Sequence, residues 1–260
     1  MDEWQQHIDS FVKVYQPLAE NFLKEVGGTE VAGMPEPFFP VAGRNYPTTL
    51  CKIVFAGMET RGWGEMENFV ADARESGAKA VLREQNRFDT FEFTKWPNNF
   101  GSDFWSFVLK FLAGFHDIAD WKELKQRKHV DILSSFAWAN LNAIERYGVT
   151  AEGNGVKFED WSIIKKASSM IDRGDNVLRA LAPHLVVITN WTTDESWLTE
   201  HRSVAERTVV ADHLLYMQLQ PCGTHVIWTA HPTWLNKHPP FDDWVERCVK
   251  LAKEKIAHNT

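Results

Sequence analysis

Four polar residues in the 260-residue chain stand where chemistry is commonly placed. Glu59, Asn140, Asn190 and His231 each come just past the carboxyl end of a short apolar run. Short apolar runs bounded by turn residues read as strands buried on both faces. In an open parallel sheet ligands bind outside the carboxyl ends of the strands, so the four side chains are expected along one edge. A carboxylate can act as a base, an amide both donates and accepts, and an imidazole can donate to a developing negative charge. Together they suit one site. Each also has an ordinary structural role: a solvated or capping carboxylate for Glu59, a hydrogen-bonded strand end for His231, and a loop amide capping backbone groups for Asn140, as for Asn142.

The clearest of these strand ends lies in Cys51–Gly64, on which the chain is organised. Ile53, Val54, Phe55 and Ala56 run without a break, Gly57 stops them, and Glu59 follows two residues later. Gly62 and Gly64 then permit a close approach of backbone and ligand.

The elements that must position these residues follow from pattern. Trp4, Ile8, Phe11, Tyr15, Phe22 and Val26 recur at helical spacing up to Gly27-Gly28. Residues 29–49 carry four prolines and read as an extended surface loop. Glu65–Gln85 reads as a helix, Asn86–Ser102 as a loop rich in aromatics, and the stretch from Phe104 to Phe115 as a helix. Asp160–Leu181 reads as one long helix and Asp242–Ala257 as a closing one. Ile53–Ala56, Ile132–Phe136, Leu185–Ile188 and Val226–Trp228 are the expected central parallel strands, with Leu214–Leu219 a further strand. Strands alternating with helices imply one α/β domain over residues 1–260, a three-layer α/β/α sandwich with a mainly parallel central sheet.

Composition narrows the function. A net charge of −7 argues against a non-specific coat for nucleic acid, while leaving room for a local basic patch. Twelve tryptophans, several outside apolar runs, fit either a Trp-rich core or an aromatic surface for flat ligands. Three scattered cysteines suggest a reducing compartment without a disulfide framework or a four-cysteine metal site. With no signal peptide or membrane-spanning stretch, a cytoplasmic protein is expected. No G-x-x-x-x-G-K-[ST], G-x-G-x-x-G, G-x-S-x-G, H-E-x-x-H or paired C-x-x-C occurs, so phosphate cradles, serine hydrolases and zinc sites lose weight.

Several stretches together resemble the uracil-DNA glycosylase superfamily. Gly57-Met58-Glu59-Thr60-Arg61 is similar to its first motif, G-Q-D-P-Y in one branch and G-M-N-P-G in another. His231-Pro232-Thr233-Trp234-Leu235-Asn236 resembles its H-P-S-P motif and the wedge residue that follows. Phe136-Ala137-Trp138-Ala139-Asn140-Leu141 is similar to the strand end that supplies a base-reading asparagine. Asn99-Phe100-Gly101-Ser102-Asp103-Phe104-Trp105 is similar to an N-R-F-W helix start. These matches keep the family's order and run from about Lys52 to Asn236.

The resemblance implies a DNA glycosylase that needs no metal or cofactor and has DNA as its partner. It gives Glu59 the stabilisation of the sugar's positive charge and the orientation of water, and His231 a hydrogen bond to the departing base. It gives Asn140 the Watson–Crick edge of a flipped base, with Trp96 or Phe100 stacking on it. Thr233, Trp234, Leu235 and Lys237 would face the DNA, with Trp234 or Leu235 filling the gap that the base leaves.

The chain departs from the family at Thr60-Arg61 and in an insertion over residues 65–103. Arg61 replaces the residue that crowds the base's C5 position with five hydrogen-bond donors, which suits a bulky C5 substituent such as a glucosylated hydroxymethyl group. The other role for Arg61 is a phosphate contact. Uracil repair, a catalytically weak DNA-binding protein and a nucleoside hydrolase are the competing expectations.

Overall fold

The computed structural model describes residues 2–28, 31, 33–58, 63–89, 102–144, 148–149, 155–156, 161–191, 195–235 and 241–257. In chain order the helices are α1 Glu3–Val26, α2 Met66–Glu75, α3 Gly77–Asp89, α4 Asp103–Phe115, α5 Val130–Leu133, α6 Trp161–Ser168, α7 Gly174–Leu181, α8 Ser196–Thr199, α9 Pro232–Leu235 and α10 Phe241–Ala257. The strands are β1 Val41–Ala42, β2 Ile53–Gly57, β3 Phe136–Asn140, β4 Gly148–Val149, β5 Gly155–Val156, β6 Leu185–Ile188, β7 Ser203–Ala211, β8 Leu214–Gln220 and β9 His225–Thr229.

Seven strands form one mixed sheet in the order β1-β3-β2-β6-β9-β8-β7, while β4 and β5 pair with each other. The four central strands β3, β2, β6 and β9 are mutually parallel; β1, β8 and β7 are antiparallel additions at the flanks. Every residue of the four central strands is buried, as expected where helices cover both faces. Val54, Ala56, Ala137, Ala139, Val186 and Ile188 pack with the apolar stripe of α1 on one face. Ile53, Phe55, Phe136, Trp138, Leu185 and Val187 pack with α4 and α10 on the other. The result is a helix–sheet–helix sandwich.

The chain lays β3 on one side of β2, then crosses to add β6 and β9 on the other. Propagation therefore reverses between β2 and β6, and the crevice at their carboxyl ends is where such sheets take ligands.

Four expectations need correction. The second central strand is not Ile132–Phe136 but Phe136–Asn140, because Val130–Leu133 closes a helical turn first. The Ser134 hydroxyl donates back to the Val130 carbonyl at 2.8 Å and that of Ser135 to Ile132 at 2.8 Å, which completes the turn. The proline-rich segment does not lie on the surface. Met34–Gly43 is buried along the β3 edge, with Phe38 and Phe39 in the two cores. Gln85 bonds its backbone at Pro40 and Ala42, supplying the partners that prolines remove.

The helix expected over Glu65–Gln85 is two helices broken at Ser76, the second reaching Asp89 and so taking in the start of the expected aromatic loop. The Ser76 hydroxyl accepts the Ala78 amide at 3.1 Å and restarts the chain. Asp160–Leu181 is likewise two helices, with Gly174 pressed against the Trp197 carbonyl where a side chain would collide. The strand β7 had no sequence signal, because most of its residues are exposed and no alternation marks it.

Candidate functional site

The carboxyl ends of the four parallel strands form one edge. Gly57 pairs with Asn140 across β2 and β3, and the backbone continues the ladder beyond the strands. The Leu141 amide donates to the Gly57 carbonyl and the Asn142 amide to that of Met58, each at 2.9 Å. On the other side the Thr189 amide donates to Ala56 at 2.9 Å. Asn140, Asn190 and His231, three of the four residues expected there, are thereby brought to one edge, and Asn142 joins them. Asn140 and His231 stand at opposite ends of it, three strand spacings or about 14 Å apart.

Asn140 is the last residue of β3 and only 6 % exposed. Its Oδ1 accepts the Trp138 indole N–H at 3.2 Å, which fixes the carboxamide's orientation. Its Nδ2 is buried with no hydrogen-bond partner among the described residues. A buried amide donor left unpaired costs roughly 1–3 kcal/mol, so such a group needs a reason, and a ligand acceptor is one. Gly57 supplies the space beside it. A Cβ there would sit 3.1 Å from Asn140 Oδ1 and 3.4 Å from the Phe104 ring.

An aromatic cluster surrounds the indole that holds this amide. The Trp138 ring has Phe38 at 4.6 Å, Trp105 at 5.1 Å, Trp63 at 5.2 Å and Phe104 at 6.2 Å between centroids. Ser102 caps α4 by accepting the Trp105 amide at 3.3 Å, and this places Phe104 at the helix start. The Trp63 indole N–H donates to the buried Glu84 carboxylate, which ties the cluster to α3. Phe38, Trp63 and Phe104 were missed as site residues. The readable signal was an aromatic pair directly after a Ser cap; Phe38 sat in a segment whose prolines suggested solvent.

His231 begins the other end. The Thr233 amide donates to its Nδ1 at 3.2 Å, while its carbonyl accepts from Trp234 at 2.9 Å and Leu235 at 3.2 Å. With Nδ1 accepting, the neutral ring carries its proton on Nε2 and is a donor there. Thr233 is exposed, and so is the Trp234 ring, at 41 %. That ring meets His213 edge-on at 4.7 Å, and His213 meets Trp191 at 5.2 Å. Leu235 corrects an expectation: it is 2 % exposed and packs in the α4–α10 core, so only Trp234 of the two presents a ring to solvent.

Glu59, Arg61, Trp96, Phe100 and Lys237 lie outside the described residues; the described chain stops at Met58 and resumes at Trp63. Met58 itself receives two side-chain amides, Asn190 Nδ2 at 3.2 Å and Asn142 Nδ2 at 3.6 Å from its sulfur. The Asn142 side-chain amide thus reaches a side-chain sulfur rather than a backbone group. Behind Asn140, the Asp172 carboxylate accepts the Ala143 amide; burial raises its pKa to about 6, against the pull of that amide and of Ser168. No described helix is long and apolar enough to cross a membrane.

In comparison with known proteins, no family model matches this chain and no curated protein matches its sequence.

Proposed function

We propose that the chain is a monofunctional DNA glycosylase, similar to uracil-DNA glycosylases, which hydrolyses the N-glycosidic bond of a flipped base and leaves an abasic site. The observation that carries this reading is the buried Nδ2 of Asn140, without a partner among the described residues and oriented by Trp138, on which further aromatic rings pack. A planar base with a carbonyl on its Watson–Crick edge satisfies that donor while its faces meet apolar rings. Phe104, beside Gly57, serves as the stacking ring in this reading.

The chemistry divides between the two ends of the edge. As the C1′–N bond breaks, its electron pair leaves on the base and positive charge grows on the sugar. The His231 Nε2–H donates to the base oxygen on which negative charge collects; one such donor is typically worth about 3 kcal/mol of barrier. Glu59, two residues past Gly57, orients the water that adds at C1′ and takes its proton, which returns to the departing base. Trp234, on the solvent side, takes the place of the flipped base in the stack.

Arg61 makes the substrate a C5-modified pyrimidine, such as glucosylated hydroxymethylcytosine in phage DNA. A guanidinium can bond the hydroxyls of an attached sugar, and a site built on such bonds penalises a base that lacks them. A cytoplasmic enzyme of this kind would attack invading DNA and spare an unmodified genome. The test is mass spectrometry of bases freed from equal amounts of uracil, unmodified and glucosylated-hydroxymethylcytosine DNA. Preferential release of the modified base is expected. Faster release of uracil would make this a repair enzyme, and release of no base from any substrate would overturn the glycosylase reading.

A further inference from the structure

Between the two ends of the edge lies an arrangement that base release alone does not use. The Nδ2 groups of Asn142 and Asn190 converge on one atom, the Met58 sulfur, at 3.6 and 3.2 Å. They come from opposite sides of β2, at the reversal point of the sheet. Both are held from behind: the Asn142 amide donates to the Met58 carbonyl at 2.9 Å, and the Trp228 indole donates to the Asn190 carbonyl at 2.5 Å. A thioether is a weak acceptor for even one amide. Two preorganised donors on it are under-satisfied, and Met58 is 40 % exposed, on an unbranched side chain that can turn away.

We propose that Asn142 and Asn190 form a fork for a phosphodiester oxygen of the DNA backbone, and that the Met58 thioether holds the place until DNA arrives. The proposal rests on the nucleic-acid reading above and extends it to the backbone of the bound strand. A phosphate oxygen accepts both amides through stronger, charge-assisted bonds. The position favours phosphate over base: both asparagines are only half-buried, so the group they bind keeps water on its outer side, whereas Asn140 is enclosed. Neutral amides also suit a chain of net charge −7, since they grip an anion at one point without a basic surface.

Fluorescence anisotropy with a short single-stranded oligonucleotide carrying one target nucleotide tests the fork at fixed salt. Asn142→Ala and Asn190→Ala should each weaken binding about tenfold, and the double variant should lose less than the product of the two. Asn142→Asp and Asn190→Asp keep the shape, exchange the donor for an acceptor, and should lose at least as much with an unchanged melting temperature. Met58→Leu removes the competing sulfur and should tighten binding, roughly threefold. Replacing the flanking phosphates one at a time by methylphosphonate should cost the parent about tenfold at one position and cost the double variant nothing there. Parent-like binding by the Asp variants would overturn the fork, as would a loss that follows the base's C5 substituent rather than a phosphate. Fork-dependent binding without base release would sink the glycosylase reading alone; His231-dependent release with normal binding by the fork variants would sink the fork alone.

Discussion

The two ends of the strand edge differ in almost everything but their height on the sheet. At the Asn140 end the amide is buried and bonded to Trp138, whose ring packs with Phe38, Trp63 and Phe104, and residues 34–43 are buried along the β3 edge. At the His231 end a four-residue helix and the β7–β8 turn leave Trp234 half in water. The cause is topological. The strand β3 has β2 on one side and the buried β1 segment on the other, whereas β9 is followed only by the antiparallel pair β8 and β7, of which β7 is mostly exposed. An enclosed end suits recognition of a flat apolar group by one directed amide. An open end suits contact with something large.

The difference between the two ends should be largest at His231. Replacing it with alanine should slow base release on the order of 100- to 1,000-fold while DNA affinity stays within a few-fold, measured by single-turnover release and anisotropy. Equal loss of binding and release would make the imidazole a structural cap of α9 and nothing more. Next in size, Leu235→Ala should lower stability by about 3 kcal/mol in denaturant titration, because that side chain is core.

The loop that leaves β3 is held by a titrating group, since Asp172 accepts the Ala143 amide. Asp172 has a folded pKa of about 6, above its ordinary 3.8, so its ionisation is disfavoured in the folded state. The stability it contributes is complete below about pH 4 and is lost as pH rises to about 6, a change of roughly 2–3 kcal/mol. Melting curves from pH 3.5 to 7 should show this fall in the parent and a flatter profile in Asp172→Asn. Identical profiles would refute the assignment. The smallest effect is at the open end: Trp234→Ala should weaken duplex binding about tenfold with no change in melting temperature, in contrast to its neighbour Leu235.

Much of this was legible in the sequence, for reasons particular residues make clear. Ile53–Gly57 and Leu185–Ile188 are continuous apolar runs ended by turn residues, and such runs are strands buried on both faces. Asn140 was legible as a strand end although the strand start was misplaced, since Val130, Ile132 and Leu133 are equally good in a helical turn. The enclosure was not legible. Prolines 35, 37 and 40 suggested solvent, and distant partners, among them Gln85, Gly64, Ala143 and the β3 edge, explain why their segment is buried. The Met58 fork was invisible for the same reason, as its two amides are 48 residues apart in sequence and meet only through the crossover of β6.

The central claim is that the unpaired donor of Asn140 exists to meet a base. Its most direct test is base release, followed by mass spectrometry on DNA carrying the preferred modified pyrimidine, with the parent protein beside Asn140→Asp. The substitution keeps size and leaves an acceptor for the Trp138 indole, but removes the buried Nδ2 donor. The parent should free the base and the variant do so on the order of 100-fold more slowly. The two are compared above about pH 8, where the new carboxyl is ionised and cannot donate, and at a temperature where both proteins are folded, because the enclosed carboxylate lowers the melting temperature. Equal release by the two proteins would show that the enclosed amide is not a base reader.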